Sequence, residues 1–418
     1  MQAGEQLINQ TVQPNWLTKV ARSTVLKLLG HLAHGGLVIK EEGRLVERFG
    51  DGAHPLQAEI NVLSPVFYTR VLTGGSVAAG ETYTDGIWQS PDLTVVVRLF
   101  AANMMLLDKI ERRMSWLRLP TDWLHKLATA NSVSRSKVNI AAHYDLGNNL
   151  YRHFLDHSMM YSAAIYPTAQ STLAEAQQHK LQTICEKLNL KADDHLLEIG
   201  TGWGGLAIFA AKHFGCKVTT TTISEEQYSY TAALIKQQGL SDKITLLKQD
   251  YRKLSGKFDK LVSIEMVEAV GKAYLTTFFR QCSKLLKADG LMLLQSITIS
   301  EARLASYAKG QDFIQRYIFP GGFLPSVSLL SDEIRQATDM EIRDCQDIGL
   351  HYAKTLQHWH QALHQNRQLL ATYGYDERFI RLWSFYFCYC EGGFLQRSIS
   401  TVQLLLSKPE HLDEISRR

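Results

Sequence analysis

Residues 195–209 read HLLEIGTGWGGLAIF, and the rest of the chain is organised around this stretch. A short apolar run at 196–199 carries a single acid, Glu198, and is followed by the glycine-rich segment 200–205. An amphipathic stretch at 206–213 comes directly after it. A strand, a glycine turn and a helix in this order form the opening unit of a nucleotide-binding type of α/β domain.

The glycines Gly200, Gly202 and Gly204 fit two classes of ligand. A glycine backbone turns sharply and approaches a ligand closely because no Cβ is in the way. With Gly205 the segment satisfies G-x-G-x-x-G, a dinucleotide pattern. With Glu198 it satisfies E-x-G-x-G-x-G, the pattern of S-adenosylmethionine methyltransferases.

The next strand separates these two interpretations. A dinucleotide site expects an acid at the end of the following strand, where it holds the ribose. The predicted strand 217–223 ends in threonines, and Glu225 and Glu226 come only inside the next helix. The methyl donor has no phosphate, so Glu198 can attract its ammonium group or accept backbone N–H bonds of the turn. The pattern favours the methyl donor, and a glycine turn that only packs a helix on a strand remains open.

The composition limits the class of protein. A chain of 418 residues is long enough for two domains, and its apolar and charged fractions, 45% and 21%, are those of an ordinary globular protein. A net charge of +4 is too small to predict a nucleic-acid partner. The six cysteines are scattered, and Cys388 and Cys390 lack the second pair of a zinc site. We therefore expect free thiols in a reducing compartment and no metal site.

Our expectation for the location of the protein rests on two sequence patterns, a signal peptide and a membrane span. The N-terminus shows no basic stretch followed by an apolar one, as a signal peptide would. No apolar run approaches the length of a membrane span. We expect a cytoplasmic protein that is peripheral on the inner face of the membrane.

Residues 1–130 are predicted to form a small α+β domain that engages the membrane or the substrate. Segment 15–32 places Trp16, Leu17 and Val20 at helical spacing, with Lys19 on the complementary face. Such a helix fits either a lipid interface or a face docked on its own domain. The rest of this region predicts a small antiparallel sheet from segments 36–39, 44–49 and 56–62, then helices at 65–72 and 91–107 with the glycine-rich stretch 74–80 between them.

Basic and aromatic residues alternate in segment 108–127. This mixture suits an anionic membrane surface, and a solvated linker between domains is the alternative. Segment 130–137 is small and polar, so we place the domain boundary near 130 and a catalytic domain at 131–418.

From residue 173 onward, helices alternate with short apolar runs, which predicts an open parallel sheet. Ligands in such sheets bind at the carboxyl ends of the strands. The residues predicted to meet at this edge are Gly200–Gly204, Thr222, Asp250, Glu265, Glu268 and Gln295.

Eight stretches between residues 140 and 400 resemble, in order and spacing, the cyclopropane-fatty-acyl-phospholipid synthase family of methyltransferases. They are HYDLGNN at 143–149, MYS at 160–162, EIGTGWGG at 198–205, TISEEQ at 222–227, QDYR at 249–252, MVEAVG at 266–271, YIFPGGFLPS at 317–326 and YAKTLQHW at 352–359. The resemblance implies an α/β fold with the Rossmann-like sheet of class I S-adenosylmethionine methyltransferases, a helical lid and a smaller N-terminal α+β domain. It also implies S-adenosylmethionine as cofactor, an unsaturated acyl chain of a membrane phospholipid as substrate, and a homodimer as one possible assembly.

The family's chemistry implies roles for individual residues. Methylation of a cis double bond leaves a carbocation, and in this family a bound bicarbonate removes a proton from the new methyl group so that a ring closes. By match to the family, Tyr161 and Ser162 approach the donor's amino-acid end, with Gly200, Gly202 and Gly204 along its backbone. Thr222 and Gln227 would hold the ribose, and Gln249 and Asp250 the adenine side. Glu268, Tyr352 and the backbone of Ile297 would hold the bicarbonate, whereas Glu265 is interpreted as a solvated or capping residue.

Two positions depart from the family pattern. Ring-forming members have a cysteine after the Tyr-Ser pair and a histidine in the segment before Ile297, and this chain has Ala163 and Gln295. Two expected bicarbonate contacts are therefore missing, and a glutamine cannot take up a proton near neutral pH as a histidine can. We hypothesise that methyl transfer is retained and that the cation loses a proton from the chain, which gives a methyl-branched unsaturated acyl group.

Two other functions also fit the sequence. A lipid-binding protein without enzymatic activity would keep apolar surfaces but would not need the donor site. A methyltransferase that acts on a small soluble molecule would keep the donor site but would not need a membrane.

Overall fold

The computed structural model of the protein describes residues 15–104, 107 and 147–413. These residues form two compact units, one before and one after the stretch 108–146. The predicted boundary near residue 130, the basic and aromatic segment 108–127 and residues 143–146 of the HYDLGNN motif lie outside the described residues. The boundary therefore stays a prediction.

The first unit is a small α+β unit. Its helices are α1 (Trp16–Leu29), α2 (Val66–Thr84) and α3 (Leu93–Ala102), and its strands are β1 (Gly36–Glu41), β2 (Arg44–Gly50), β3 (Gln57–Val62) and β4 (Trp88–Gln89). Helix α1 begins after Asn15, whose side chain accepts a hydrogen bond from the N–H of Thr18 at 2.9 Å, as an N-cap does. The strands form one sheet in the order β2-β1-β3-β4.

Two predictions for this unit are wrong. The sheet is mixed, because β3 pairs with β1 and not with the intervening β2. Since β2 reverses the chain direction, a third strand that returns beside β1 runs parallel to it. The glycine-rich stretch 74–80 lies inside α2, which is kinked at Gly75, where φ is +57° and ψ is −138°. Glycine tolerates this conformation, so two helical segments meet at a kink at Gly75, and the second segment runs through the rest of the glycine-rich stretch to Thr84.

The second unit contains a seven-stranded sheet. Its strands are β5 (His195–Ile199), β6 (Lys217–Thr222), β7 (Ile244–Lys248), β8 (Phe258–Ile264), β9 (Leu286–Ile299), β10 (Glu341–Asp347) and β11 (Ile399–Ser407). Their order is β10-β11-β9-β8-β5-β6-β7, and β11 runs antiparallel to both of its neighbours. The order reverses between β5 and β8, so the carboxyl ends of these two strands border the crevice where such sheets bind ligands.

Helices cover both faces of this sheet. The helices of this unit are α4 (Asn148–Arg152), α5 (Leu173–Lys187), α6 (Gly205–His213), α7 (Glu225–Gln237), α8 (Leu275–Leu285), α9 (Glu301–Tyr307), α10 (Phe313–Tyr317), α11 (Val327–Ala337), α12 (Gly349–Gln365), α13 (Arg367–Thr372) and α14 (Glu377–Leu395). One apolar core joins the sheet to α5, α6 and α7, and a second joins its other face to α8 and α11. Two cores of this size hold the strands rigidly, so the loops at the carboxyl edge are carried on a fixed frame.

In the described parts of the chain, none of the helices combines the length and the apolarity that crossing a bilayer requires.

Candidate active site

The glycine turn joins β5 to α6 and adopts a left-handed backbone at three positions. The φ angles are +104° at Gly200, +54° at Gly202 and +87° at Gly204. The N–H of Gly200 donates to the carbonyl of Thr221 on β6 at 3.1 Å, which ties the turn to the neighbouring strand. A Cβ at Gly204 would lie 2.7 Å from Cγ2 of Thr231, whereas one at Gly202 would project into open space. The turn is closed on its helix side and open at Gly202, so a ligand can lie directly against the backbone.

Glu198 lies behind this turn and is almost completely buried. Its carboxylate accepts a hydrogen bond from the Thr220 hydroxyl at 2.5 Å, and that hydroxyl lies 2.6 Å from the hydroxyl of Thr201 in the turn. Burial raises the pKa of Glu198 to about 8, although the Thr220 bond acts in the opposite direction. A cation beside this carboxylate would favour its charged form, so Glu198 and an ammonium group would stabilise each other.

The residues predicted for the ribose and the adenine side lie at the ends of β6 and β7 and in the first turn of α7. The Thr222 hydroxyl donates to Oε1 of Gln227 at 2.8 Å, and both side chains are buried. Arg252 donates to the Asp250 carboxylate through its backbone N–H at 2.9 Å, Nε at 2.8 Å and Nη2 at 2.6 Å. Burial alone would raise the pKa of Asp250, but these bonds hold it below its ordinary value. The Gln249 amide donates to the carbonyl of residue 253 at 2.7 Å, so both predicted adenine-side groups are held in place by their own loop.

The carboxylate of Glu265, directly after β8, receives three hydrogen bonds. Oε1 accepts from the backbone N–H of Ala163 at 2.9 Å and from Nε2 of Gln295 at 2.8 Å, and Oε2 accepts from the Tyr352 hydroxyl at 2.8 Å. Burial raises the pKa of Glu265, and the three donors and the charge of Lys180 oppose that rise. The interpretation of Glu265 as a solvated or capping residue is wrong, because residues from three distant parts of the chain converge on its carboxylate.

The backbone at Glu265 is also unusual. Its φ is +50°, a left-handed conformation that few residues other than glycine adopt. The N–H of Glu265 donates to the carbonyl of Gln295 at 2.8 Å, which fixes this conformation against β9. A left-handed backbone costs about 1–2 kcal/mol in a residue with a Cβ. The fold retains this strain at the residue on whose carboxylate the donors converge, as functional sites often do.

Glu268 lies one turn further on, in the loop after β8. One carboxylate oxygen accepts from the backbone N–H of Ile297, and no donor among the described residues reaches the other oxygen, which is buried. Burial, together with the negative charge of Glu265, raises the pKa of Glu268 to about 8. The structure thus brings together Glu268 and Ile297, which were expected to share an anion, by a direct hydrogen bond, and it directs the Tyr352 hydroxyl to Glu265.

Two buried residues on α5 hold the Tyr161–Ala163 segment, and the sequence analysis missed both. Nζ of Lys180 donates to the Ser162 hydroxyl at 2.8 Å, and Nε2 of Gln177 donates to the carbonyl of Ser162 at 3.0 Å. Both side chains are fully buried, and burial lowers the pKa of Lys180 to about 8 although the charges of Glu265 and Asp156 act against that decrease. A lysine and a glutamine in an amphipathic helix give no sequence signal that sets them apart from solvated residues.

Aromatic rings form the wall next to this segment. The ring of Tyr161 lies 5.1 Å from that of Trp359 and 6.4 Å from that of Phe319, measured between centroids. Its hydroxyl lies 2.9 Å from the hydroxyl of Tyr386. Aromatic faces exclude water and attract cations, so this wall suits a reaction that develops positive charge on an apolar substrate.

Not every residue that was expected at a strand end lies at one. Gly200, Thr222, Asp250 and Glu265 follow or end their strands, as expected. Gln295 lies within β9, opposite Ile264, the last residue of β8, and β9 continues beyond it. Because neighbouring parallel strands are in register there, Gln295 still reaches the same edge.

The chain is similar to proteins of known family. A family description, mycolic acid cyclopropane synthetase, matches residues 131–404. The tuberculostearic acid methyltransferase UfaA1 of Mycobacterium tuberculosis is 36% identical over 81% of this chain and 80% of its own. The cyclopropane-fatty-acyl-phospholipid synthase of Escherichia coli K12 is also 36% identical, over 84% of this chain and 88% of its own.

Solved structures give the same result for the fold. The mycolic acid cyclopropane synthase CmaA1, in complex with SAH and CTAB, aligns with a TM-score of 0.61 at 30% identity, over 65% of this chain and 98% of that chain. These similarities confirm the predicted fold class and the resemblance on which it rested. The named activities of the relatives differ, so the residues of the site have to decide between them.

Proposed function

The chain belongs to the mycolic acid cyclopropane synthetase family of S-adenosylmethionine-dependent methyltransferases that act on lipids, and on that premise we propose a specific reaction. We propose that it methylates a cis double bond in an acyl chain of a membrane phospholipid and leaves a methyl-branched, unsaturated chain. The observation that carries this proposal is the carboxylate of Glu265, which receives the donors of Ala163, Gln295 and Tyr352.

The donor site has the features that S-adenosylmethionine needs. When bound, S-adenosylmethionine supplies a methyl group made electrophilic by a positively charged sulfur. The open backbone at Gly202 would lie along it, and Thr222 and Gln227 would hold its ribose. Glu198 would attract its ammonium group from behind the turn, and Ser162, fixed by Lys180, would contact its amino-acid end.

A free bicarbonate does not fit the anion site of this chain. The resemblance assigns it to Glu268, Tyr352 and the backbone of Ile297, and the two further contacts of ring-forming members are missing at Ala163 and Gln295. Glu265 already receives the bonds of the Ala163 N–H, the Gln295 amide and the Tyr352 hydroxyl, and Glu268 receives that of the Ile297 N–H. A second anion there would have to displace a carboxylate from its donors and would be repelled by it.

Glu265 is the base in the proposed reaction. The electron pair of the alkene forms a bond to the incoming methyl carbon as the bond from that carbon to sulfur breaks, which leaves a carbocation on the adjoining chain carbon. Glu265 then takes a proton from the chain beside the cation, and the electrons of that C–H bond form the new double bond. Because its backbone and three hydrogen bonds fix its position, the carboxylate can remove only protons that lie close to it. We assign those protons to the chain rather than to the new methyl group.

The surroundings of Glu265 suit a general base. Burial raises its pKa and so makes it a stronger base than an exposed carboxylate, whereas the three donors and Lys180 oppose that rise. Glu268, with a pKa of about 8, is mostly protonated at neutral pH and adds little negative charge beside the base. The environments of the two carboxyl groups thus differ, because Glu265 receives three hydrogen bonds and Glu268 receives that of the Ile297 N–H.

We propose that helix α1 brings the protein to the inner face of the membrane. Trp16, Leu17 and Val20 are 71%, 52% and 56% exposed, an unusual exposure for three large apolar side chains on one helix end. Lys19 and Lys27 are exposed on the same helix. Apolar side chains flanked by cations fit an anionic lipid surface, where the indole ring and the two aliphatic side chains enter the interface and the ammonium groups meet lipid phosphates.

The test is the fate of a labelled methyl group. The enzyme is incubated with vesicles of cis-unsaturated phospholipid and S-adenosylmethionine whose methyl group carries three deuterium atoms, and the acyl methyl esters are analysed by mass spectrometry. The proposal predicts a branched alkene that retains all three deuterium atoms, because the proton comes from the chain. A cyclopropane with two deuterium atoms would refute the altered fate of the cation. Label that appears in no lipid would favour a soluble substrate, and failure to bind S-adenosylmethionine would favour a lipid carrier.

A further inference from the structure

Gln403 contacts Gln295 from the neighbouring strand. The two residues are directly opposite each other in the antiparallel pair of β11 and β9. Nε2 of Gln403 donates to Oε1 of Gln295 at 3.0 Å. Nε2 of Gln295 in turn donates to Glu265 at 2.8 Å, and at 3.4 Å to the carbonyl of Ala163. A hydrogen-bonded line therefore runs from Gln403 through Gln295 to the proposed base.

The direction of the Gln295 amide is decisive, because its two ends have nearly the same shape and opposite hydrogen-bonding character. With Nε2 toward Glu265, the amide stabilises the carboxylate. Turned over, it would place Oε1 against the carboxylate, where two acceptors repel. With the Gln403 amide oriented as observed, its donor is satisfied only by the first orientation of Gln295, because only then does it meet the oxygen of Gln295.

The pair does not fit a purely structural role. Both glutamines are fully buried, in strands whose other core residues include Leu294, Leu404 and Leu406. Within the described chain, Oε1 of Gln403 is buried without a hydrogen-bond donor. A buried, unsatisfied amide oxygen costs about 1–3 kcal/mol, and an apolar pair at this register would avoid it.

We propose that Gln403 is a positioning residue, which holds the Gln295 amide with its NH2 group toward Glu265 so that the base keeps all three of its donors. The inference rests on the proposed function, since it concerns the base of that reaction. The other titratable groups around Glu265 are Lys180 on α5, Glu268 in the loop after β8, and Tyr352 and Tyr386 on α12 and α14. None of these groups hydrogen-bonds to Gln403 among the described residues, so its removal leaves their charges in place.

The test is a double-mutant cycle read as a pH profile. In Gln403→Leu the Gln295 amide loses the hydrogen bond that orients it, so the charged form of Glu265 loses a donor. The pKa of Glu265 therefore rises. We expect the acid limb of methyl transfer to move up by about one pH unit, which is about tenfold in rate on the acid side. Gln295→Met should move the limb in the same direction. Adding Gln403→Leu to Gln295→Met should then move it no further, because the amide through which Gln403 acts is gone.

Two more variants keep the test decisive. Thr401→Val removes another buried polar group from the same strand, one whose hydroxyl has no partner in the described chain, and it should leave the acid limb unchanged. Gln403→Glu presents a carboxylate that attracts the NH2 group of Gln295 and turns its oxygen toward Glu265. This variant should lower methyl transfer more than Gln403→Leu does, even if the leucine variant folds poorly.

An unshifted acid limb in Gln403→Leu, an equal shift in the Gln295→Met background, or wild-type activity in Gln403→Glu would each overturn the inference. Failure of the proposed function is a separate result, since it is read from the deuterium content of the product and not from the pH profile.

Discussion

Replacement of Glu265 by glycine separates the carboxylate from the rest of the site. Glycine adopts the observed φ of +50° freely, so the change relieves about 1–2 kcal/mol of backbone strain and should leave the protein folded. It also leaves the Ala163 N–H, the Gln295 amide and the Tyr352 hydroxyl around the space that the carboxylate occupied. We expect methyl transfer to fall by about 10²–10⁴-fold, the usual contribution of a positioned base.

The same variant should be rescued by a small anion. Three donors that converge on one space form a receptor for a free carboxylate, so formate or bicarbonate in the buffer should restore part of the lost rate in Glu265→Gly. The assay measures transfer of the labelled methyl group to unsaturated phospholipid vesicles as the concentration of anion rises. Glu265→Gln is the matched control, since its amide fills the same space without a base and should gain nothing from the anion. Wild-type activity in Glu265→Gly would contradict the role of the carboxylate. Failure of every anion to restore a folded, donor-binding variant would contradict the geometry of the receptor.

Three further predictions concern the turn, the donor site and the membrane. Burial raises the pKa of Glu198 to about 8, so the stability contributed by its protonated carboxyl group is fully present below the unfolded pKa of about 4.5 and is lost as the pH rises through 8. Thermal melts should therefore show that Glu198→Gln gains roughly 3 kcal/mol of stability relative to wild type between about pH 5 and pH 8. Equal pH dependence of stability in both proteins would contradict this prediction. Gly204→Ala should lose about 1 kcal/mol more unfolding free energy than the matched variant Gly239→Ala, because both place an alanine at a positive φ but only the first pushes a Cβ toward Thr231. Equal losses in urea unfolding would contradict the predicted clash with Thr231. Trp16→Ser should reduce sedimentation with anionic vesicles, and binding that stays unchanged in the variant and at high salt would contradict the membrane role of α1.

The parts of the fold that follow local rules could be predicted from the sequence. The turn at 200–205 was predicted because its glycines are needed for positive φ angles, and the flanking strand and helix have clear periodicity. The parallel pairing of β1 and β3 could not be predicted in this way, because neighbours in a sheet are chosen by tertiary packing and not by their order in the chain.

The site, like the fold, depends on contacts that local sequence patterns do not predict. Glu265 was placed at the correct edge of the sheet, but its carboxylate is defined by Ala163, Gln295 and Tyr352, which lie far from it in the chain. Residue spacing alone gives no information on such contacts, so in the sequence Glu265 cannot be told from a glutamate exposed to solvent. The substitutions Ala163 and Gln295 were visible in the sequence, and the structure supplies their partner. The position of Gln403 depends on the register of β11 against β9, which no local pattern fixes.

The most direct test of the internal base is the response of the unmodified enzyme to bicarbonate. Methyl transfer to unsaturated phospholipid is measured in buffer freed of carbon dioxide while bicarbonate is added stepwise. We expect a full rate at the start and no increase, because Glu265 already occupies the donors of the anion site. A rate near zero that rises with bicarbonate would contradict it.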